Sequence, residues 1–242
     1  MKRLTVSVDD VATLRNLLYD DDFDPVRFAL LCEVAGAQGI SVTVTGSELG
    51  VKEADVHRLR QLHKTFLNLH IPPENPFIKL ALSLNPEMVT FVQLTHGDRL
   101  RLAPLPSSAV LDTVQEVLPD FRANNISVAV FCYPELEILK QLSRLRIDYV
   151  ELDCTGYTLA EDSNEELVAL DSLINASLAA AKLGFGINCF GGINYEHLPG
   201  LAGIPHLEDI CMGVNIVKRA LLVGVDRAVQ EAQQQILFHH RE

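Results

Sequence analysis

Polar and titratable side chains recur at two-residue spacing near the ends of several short apolar runs: Ser7 and Asp9, Ser41, Thr43 and Thr45, Asn68 and His70, Glu151 and Asp153. Two residues is the strand period, so each set shares one face, while Val6, Val8, Val42, Val44, Leu69 and Leu152 share the other. His70 changes charge near neutrality and could act as a general base, with Glu151 or Asp9 setting its proton affinity. The competing reading is a hydrogen-bonded interior histidine. It is preferred, because no nucleophile falls within evident reach. Two glycine turns add a second kind of chemistry: Phe190-Gly-Gly-Ile193 follows one strand pattern and Met212-Gly-Val-Asn215 follows the next. Glycines let backbone N–H groups approach phosphate oxygens, and a helix starting near Asn215 would favour an anion at Gly213.

These residues need a scaffold that brings strand ends together. Strand patterns are read near 4–9, 39–45, 65–71, 88–94, 126–132, 147–153, 184–189 and 209–213. Helical patterns lie between them, at Pro25–Ala35, Glu53–Lys64, Pro76–Leu84, Ala109–Asn124, Glu135–Leu145, Glu165–Leu183 and Ile216–Phe238. Pro25 suits a first helical turn, Gly36 a C-terminal cap, and Ser163-Asn-Glu-Glu166 a capping box. The helix after that box carries an apolar stripe of Leu167, Leu170, Leu173, Ile174, Leu178 and Leu183. Eight strand–helix alternations over 242 residues predict a single (β/α)8 TIM barrel covering residues 1–242. Its mouth would gather Asp9, Thr43, Thr45, His70, Glu151, Asp153 and Asn188. Thr95–Ser108, rich in proline and charge, would be an irregular lid, with Arg99 and Arg101 as added phosphate ligands or solubilising groups.

Composition narrows the function. A net charge of −12 argues against a nucleic-acid surface or a polybasic membrane contact. No apolar run reaches the roughly 18 residues a spanning helix needs. Five cysteines without a CxxC fit reduced thiols and a cytoplasmic location. Cys132, Cys154, Cys189 and Cys211 fall near the ends of strands five to eight, but parity turns Cys154 away from the bore, against a metal site. His239-His-Arg241 reads as a solvated tail. Asp20-Asp-Asp22 with Asp24 reads as a solvated loop capping the next helix.

The chain resembles the pyridoxine 5'-phosphate synthases of vitamin B6 biosynthesis over nearly its whole length. The pieces that carry the resemblance are Val8-Asp-Asp-Val-Ala-Thr-Leu-Arg-Asn16, Asp24-Pro-Val26, Glu33-Val-Ala-Gly-Ala-Gln-Gly-Ile-Ser41, Asn68-Leu69, Tyr149-Val-Glu-Leu152, Gly192, and Gly213 with Lys218-Arg-Ala220. The resemblance implies a barrel that assembles as a homo-oligomer, dimer-based and usually an octamer. It implies condensation of 3-amino-2-oxopropyl phosphate with 1-deoxyxylulose 5-phosphate by acid/base and imine chemistry, without a redox cofactor or metal. Asp9, Arg15, Glu151, Gly192 and Gly213 match the family's motif. Thr43 and Gly191 stand where it has histidines, His70 where it has a glutamate, Val214 where it has a further histidine, and Thr45 where it has an arginine. Ser7 and Asp10 replace its Asn and His, and Gly46-Ser-Glu-Leu-Gly50 its basic loop.

Threonine and glycine do not titrate near neutrality, so they cannot take over a histidine's proton transfers. The expected function is therefore a divergent homologue with lost or altered synthase activity. It would still hold a small phosphorylated metabolite through Gly192, Gly213, Arg15, Ser7, Thr43 and Asn188. An active synthase using His70, Glu151 and Asp9 is the enzymatic alternative. A structural subunit of an active paralogue is the third.

Overall fold

The computed structural model describes residues 2–96, 100–105 and 109–239, and eight parallel strands in it close into a barrel. The strands are β1 (Arg3–Ser7), β2 (Gly39–Thr43), β3 (Phe66–Ile71), β4 (Met88–Phe91), β7 (Ser127–Cys132), β8 (Tyr149–Asp153), β9 (Gly186–Phe190) and β10 (Leu207–Met212), with β5 (Gln93–His96) and β6 (Leu100–Ala103) forming a separate pair. Around the barrel they run β1-β10-β9-β8-β7-β4-β3-β2, the order a right-handed (β/α)8 winding produces. Val6, Ile40, Val42, Leu67, Leu69, Val150 and Leu152 are buried beneath the helices. The opposite parity fills the bore. Register sets its polar members side by side, with Ser7 opposite Ser41, Thr43 opposite His70, and Glu151 opposite Asn188.

The surrounding helices are α1 (Asp9–Leu18), α2 (Pro25–Val34), α3 (Glu53–Leu62), α4 (Asn75–Leu84), α5 (Ala109–Ala123), α6 (Leu136–Leu142), α7 (Thr155–Thr158), α8 (Ser163–Lys182), α9 (Leu198–Gly203), α10 (Val214–Val223) and α11 (Val225–His239). Their ends follow the expected chemistry with some shifts. Asp24 accepts from the Val26 N–H at 2.9 Å, Pro25 opens α2, and Gly36 follows its end at φ +109°. The Arg58 guanidinium also reaches Asp24, at 2.7 Å, so this acid caps a helix rather than holding a cation. For α8 the cap is Asp162, which accepts from the Asn164 and Glu165 N–H groups, and not the Ser163 box. The face that α8 buries is Leu173, Ala176, Ser177 and Ala180; Leu167, Leu178 and Leu183 of the expected stripe stay exposed.

Three elements depart from the sequence reading. The first strand stops at Ser7, and Asp9 instead opens α1, a helix not expected there. The long terminal helix is two, broken at Gly224 with φ +87°, a left-handed conformation that suits glycine. The lid region holds the antiparallel β5–β6 hairpin rather than an irregular loop. Arg101 lies on β6, while Arg99, His240 and Arg241 lie outside the described residues. No helix among the described residues is long and apolar enough to cross a membrane.

Candidate functional site

The bore is crossed by one chain of polar contacts. His70 Nε2 sits 2.9 Å from a Glu151 carboxylate oxygen, and the two side chains are 0% and 1% exposed. Asn68 Nδ2 lies 3.3 Å from the same His70 nitrogen, and its Oδ1 accepts from the Thr90 hydroxyl at 3.0 Å. Burial opposes a charge on His70, but Glu151, aided by Asp9 and Asp209, outweighs it and raises the imidazole's pKa. The pair is covered from above. Phe190 meets the His70 ring edge-on with centroids 5.5 Å apart, and Phe131 meets Phe190 at 5.7 Å. Below, Asp209 accepts from the Thr5 hydroxyl at 2.7 Å and pairs with Arg3; burial nonetheless raises its pKa.

Asp9 occupies the junction of β1 and β2. One carboxylate oxygen accepts the Thr43 N–H at 2.7 Å. The other accepts the Thr43 hydroxyl at 2.6 Å and the Ser7 hydroxyl at 3.0 Å. Both oxygens are thus engaged in tying the strand ends together. Thr45, expected at the mouth, is turned into its own loop, where its hydroxyl accepts from the Ser47 N–H at 3.1 Å. Asn188 is buried, with Nδ2 3.4 Å from the Met88 sulfur and Oδ1 without a protein partner. The Arg15 guanidinium makes a two-pronged pair with the buried Asp55, in the first turn of α3, at 2.9 and 2.8 Å.

On the far side of the mouth the loops after β8, β9 and β10 lock together. Asp153 accepts the Thr155 N–H and hydroxyl at 2.9 and 2.8 Å, while burial raises its pKa against those bonds. The Thr158 hydroxyl donates to the Gly191 carbonyl at 2.9 Å. Asn215 donates to the carbonyls of Gly192 and Ile193 at 3.2 and 3.0 Å. Gly191 and Gly192 have φ of +119° and +66°. Gly213 caps α10, and a Cβ placed on it would stand 3.4 Å from an Asp10 carboxylate oxygen. An acid therefore stands beside the turn where an anion was expected.

The cysteines do not converge. Cys132, Cys154 and Cys189 belong to the apolar layer outside the barrel, and Cys211 faces Ser41 at 3.5 Å. Burial raises the pKa of Cys132, Cys189 and Cys211, which keeps them as thiols. Among the described residues no group of three or more His, Cys, Asp or Glu side chains is placed to hold a metal ion.

Comparison with known proteins decides the family. A profile described as "Pyridoxal phosphate biosynthesis protein PdxJ" matches residues 4–237. A pyridoxine 5'-phosphate synthase of Geobacter metallireducens is 32% identical over 231 residues, covering 96% of this chain and 97% of that protein. The chain belongs to the pyridoxine 5'-phosphate synthase family. A synthase from Synechococcus is 32% identical over 234 residues, covering 97% and 98%. Solved barrels share the fold alone: KGPDC from Streptococcus mutans (TM-score 0.63, 12% identity, 98% of both chains), and a mutant tryptophan synthase α-subunit from Pyrococcus furiosus (TM-score 0.65, 14% identity, 98% of both).

Within this synthase family member, Gly191, where the resemblance implies a histidine, has no room for a side chain. A Cβ there would lie 2.8 Å from an Asp153 oxygen and 3.2 Å from the Cys154 nitrogen, at a φ that side chains avoid. Gly184, at φ +89° with nothing within 4 Å, carries the backbone penalty alone. Gly191→Ala is expected to cost about 1–3 kcal/mol of strain plus the clash, and Gly184→Ala less, as read by urea unfolding. Arg15→Ala is expected to cost about 2–3 kcal/mol. That is below the usual penalty for orphaning a buried charge, because Arg58 remains 3.9 Å from Asp55.

Sequence reasoning missed Asp209, Thr155, Thr158 and Phe131. Asp209 shares parity with Cys211 and was recoverable from that. The Thr158–Gly191 contact joins loops 33 residues apart and leaves no local signal.

Proposed function

We propose that this chain is a synthase-family barrel that no longer carries out the family's condensation, while its mouth still takes a small phosphorylated or otherwise anionic molecule. The observation that carries this reading is the sequestration of the titratable pair in its bore. His70 and Glu151 face each other at 2.9 Å, fully buried and capped by Phe190. A general base must come within hydrogen-bond reach of the proton it takes, and this one is spent on a carboxylate. Thr43 and Gly191 offer no replacement.

What supports a retained ligand is the Gly191–Gly192 turn, whose positive φ values allow the nest-like backbone conformations that bind anions. The Gly213 side contributes less, since an Asp10 carboxylate oxygen stands 3.4 Å from where a Cβ on Gly213 would lie. Arg15 is paired with Asp55 in this structure, so it is a weaker ligand candidate than the glycine turn. The large exposures of Tyr19, Val34 and Leu222, at 96%, 85% and 79%, favour a homo-oligomer. Five unpaired cysteines favour a reducing, cytoplasmic setting.

The test is pyridoxine 5'-phosphate formation by the purified protein from the two family substrates, beside the Geobacter metallireducens synthase. Turnover within about a hundredfold of that enzyme sinks the reading, since losing one base alone can cost as much.

A further inference from the structure

At the end of the barrel opposite the mouth, the starts of β1, β9 and β10 surround a cavity of about 920 Å³. Its lining includes Lys2, Arg3, Phe185, His206, Glu208 and His239. Two cations and two imidazoles thus face one carboxylate, in a chain whose net charge is −12. Lys2 is the unusual member. It is 5% exposed, and its ammonium donates to the Ala202 carbonyl at 2.5 Å. An ammonium has three donors, and an isolated buried charge is costly unless paired.

The nearby acids are committed elsewhere. Asp209 is bound by Arg3 and the Thr5 hydroxyl, and Glu208 accepts from the Tyr149 hydroxyl at 3.2 Å. Among the described residues Lys2 forms no ion pair, and desolvation lowers its pKa with only the Cys189 sulfur acting the other way. Arg3, stacked 3.7 Å above the Phe66 ring, adds a second cation to the same wall. With Arg3 matched by Asp209, Lys2 is a buried ammonium with spare donors and no carboxylate partner among the described residues, which makes it half of an ion pair.

We propose that this cavity is an anion site, separate from the barrel mouth, in which Lys2 binds the phosphate or carboxylate group of a small metabolite. The proposal does not depend on the reading of the mouth. A ligand bound there bridges the starts of β1, β9 and β10, so it stabilises the closed barrel by binding the folded chain alone.

Thermal unfolding of the full chain, titrated with inorganic phosphate and separately with malonate at constant ionic strength, tests it. The expected result is a saturable rise in Tm with at least one of the two, and the stronger probe identifies the ligand's charged group. Lys2→Met should weaken the apparent affinity at least about tenfold, while Lys2→Arg keeps it. In anion-free buffer Lys2→Met should melt no lower than the parent, because it removes a buried charge that has no ion-pair partner among the described residues. No saturable rise with either probe overturns the proposal. So does an unchanged rise in Lys2→Met, which would move the anion to the Gly192 turn. A Lys2→Met variant that melts well below the parent would make Lys2 a structural strut, and would also overturn it.

Discussion

Replacing His70 with leucine is expected to cost about 3–5 kcal/mol of stability, and adding Glu151→Leu should recover most of it. The single variant leaves a carboxylate 1% exposed, with Asp209 and Asp9 as its charged surroundings in the bore. It must either remain ionised without a partner or take up a proton that water would not give it at neutral pH. The double variant removes both charges and leaves apolar side chains against Phe190 and Phe131. In a chain of 242 residues the single loss corresponds to a fall in Tm of about 6–20 °C. A double variant as unstable as the single would show that the two residues do not act as a pair.

The same pair fixes a sign for pH. The folded pKa of His70 is raised, so its contribution is fully present below the unfolded value of about 6.5 and is lost as pH rises through the folded value. His63 and His197 act oppositely: burial lowers their pKa values, so they withdraw stability as pH falls below about 6.5. Subtracting the double variant's pH profile from the parent's isolates the part contributed by the His70–Glu151 pair. The difference should decline on the alkaline side of about 6.5. A difference that grows with pH there would mean that Glu151 does not hold the proton on His70.

The bore residues were legible because strand parity is a local property. Once Val6, Val42, Leu69 and Leu152 are assigned to the helix side, Ser7, Thr43, His70 and Glu151 have nowhere else to point. What those side chains do to one another was not legible. Asp9 spans 34 residues to reach Thr43, and Arg15 spans 40 to reach Asp55. Neither pairing leaves a trace in local periodicity. Arg15 carried the motif match and was expected to bind ligand; the fold gives it to a buried acid on α3. The break at Gly224 and the hairpin at 93–103 escaped for the converse reason, since apolar patterning continues across the first and is weak in the second. The Gly191–Gly192 turn was readable as glycine-rich. That its glycines make way for Asp153 and Thr158 was not.

Given 3-amino-2-oxopropyl phosphate and 1-deoxyxylulose 5-phosphate, the purified protein is expected to form pyridoxine 5'-phosphate at least about 10⁴-fold more slowly than the Geobacter metallireducens relative. On the proposed reading, the magnitude follows from the histidines that the resemblance puts at positions 43 and 191. One absent general base costs roughly 10²–10⁴ in rate. If positions 43 and 191 act independently, two losses at the lower limit multiply to about 10⁴. If they act as a unit, losing one costs about as much as losing all, and a figure near the upper limit applies. Both routes arrive at the same order. His70 cannot make up the difference from where it lies, since Phe190 covers it and Glu151 takes its Nε2 face. Restoring a single histidine should not rescue the rate either. Gly191→His must push against Asp153, and Thr43→His gives up the hydroxyl that Asp9 holds at 2.6 Å. If turnover does come within a hundredfold of the relative's, Phe190 must move to expose the pair, and His70→Ala should then abolish it.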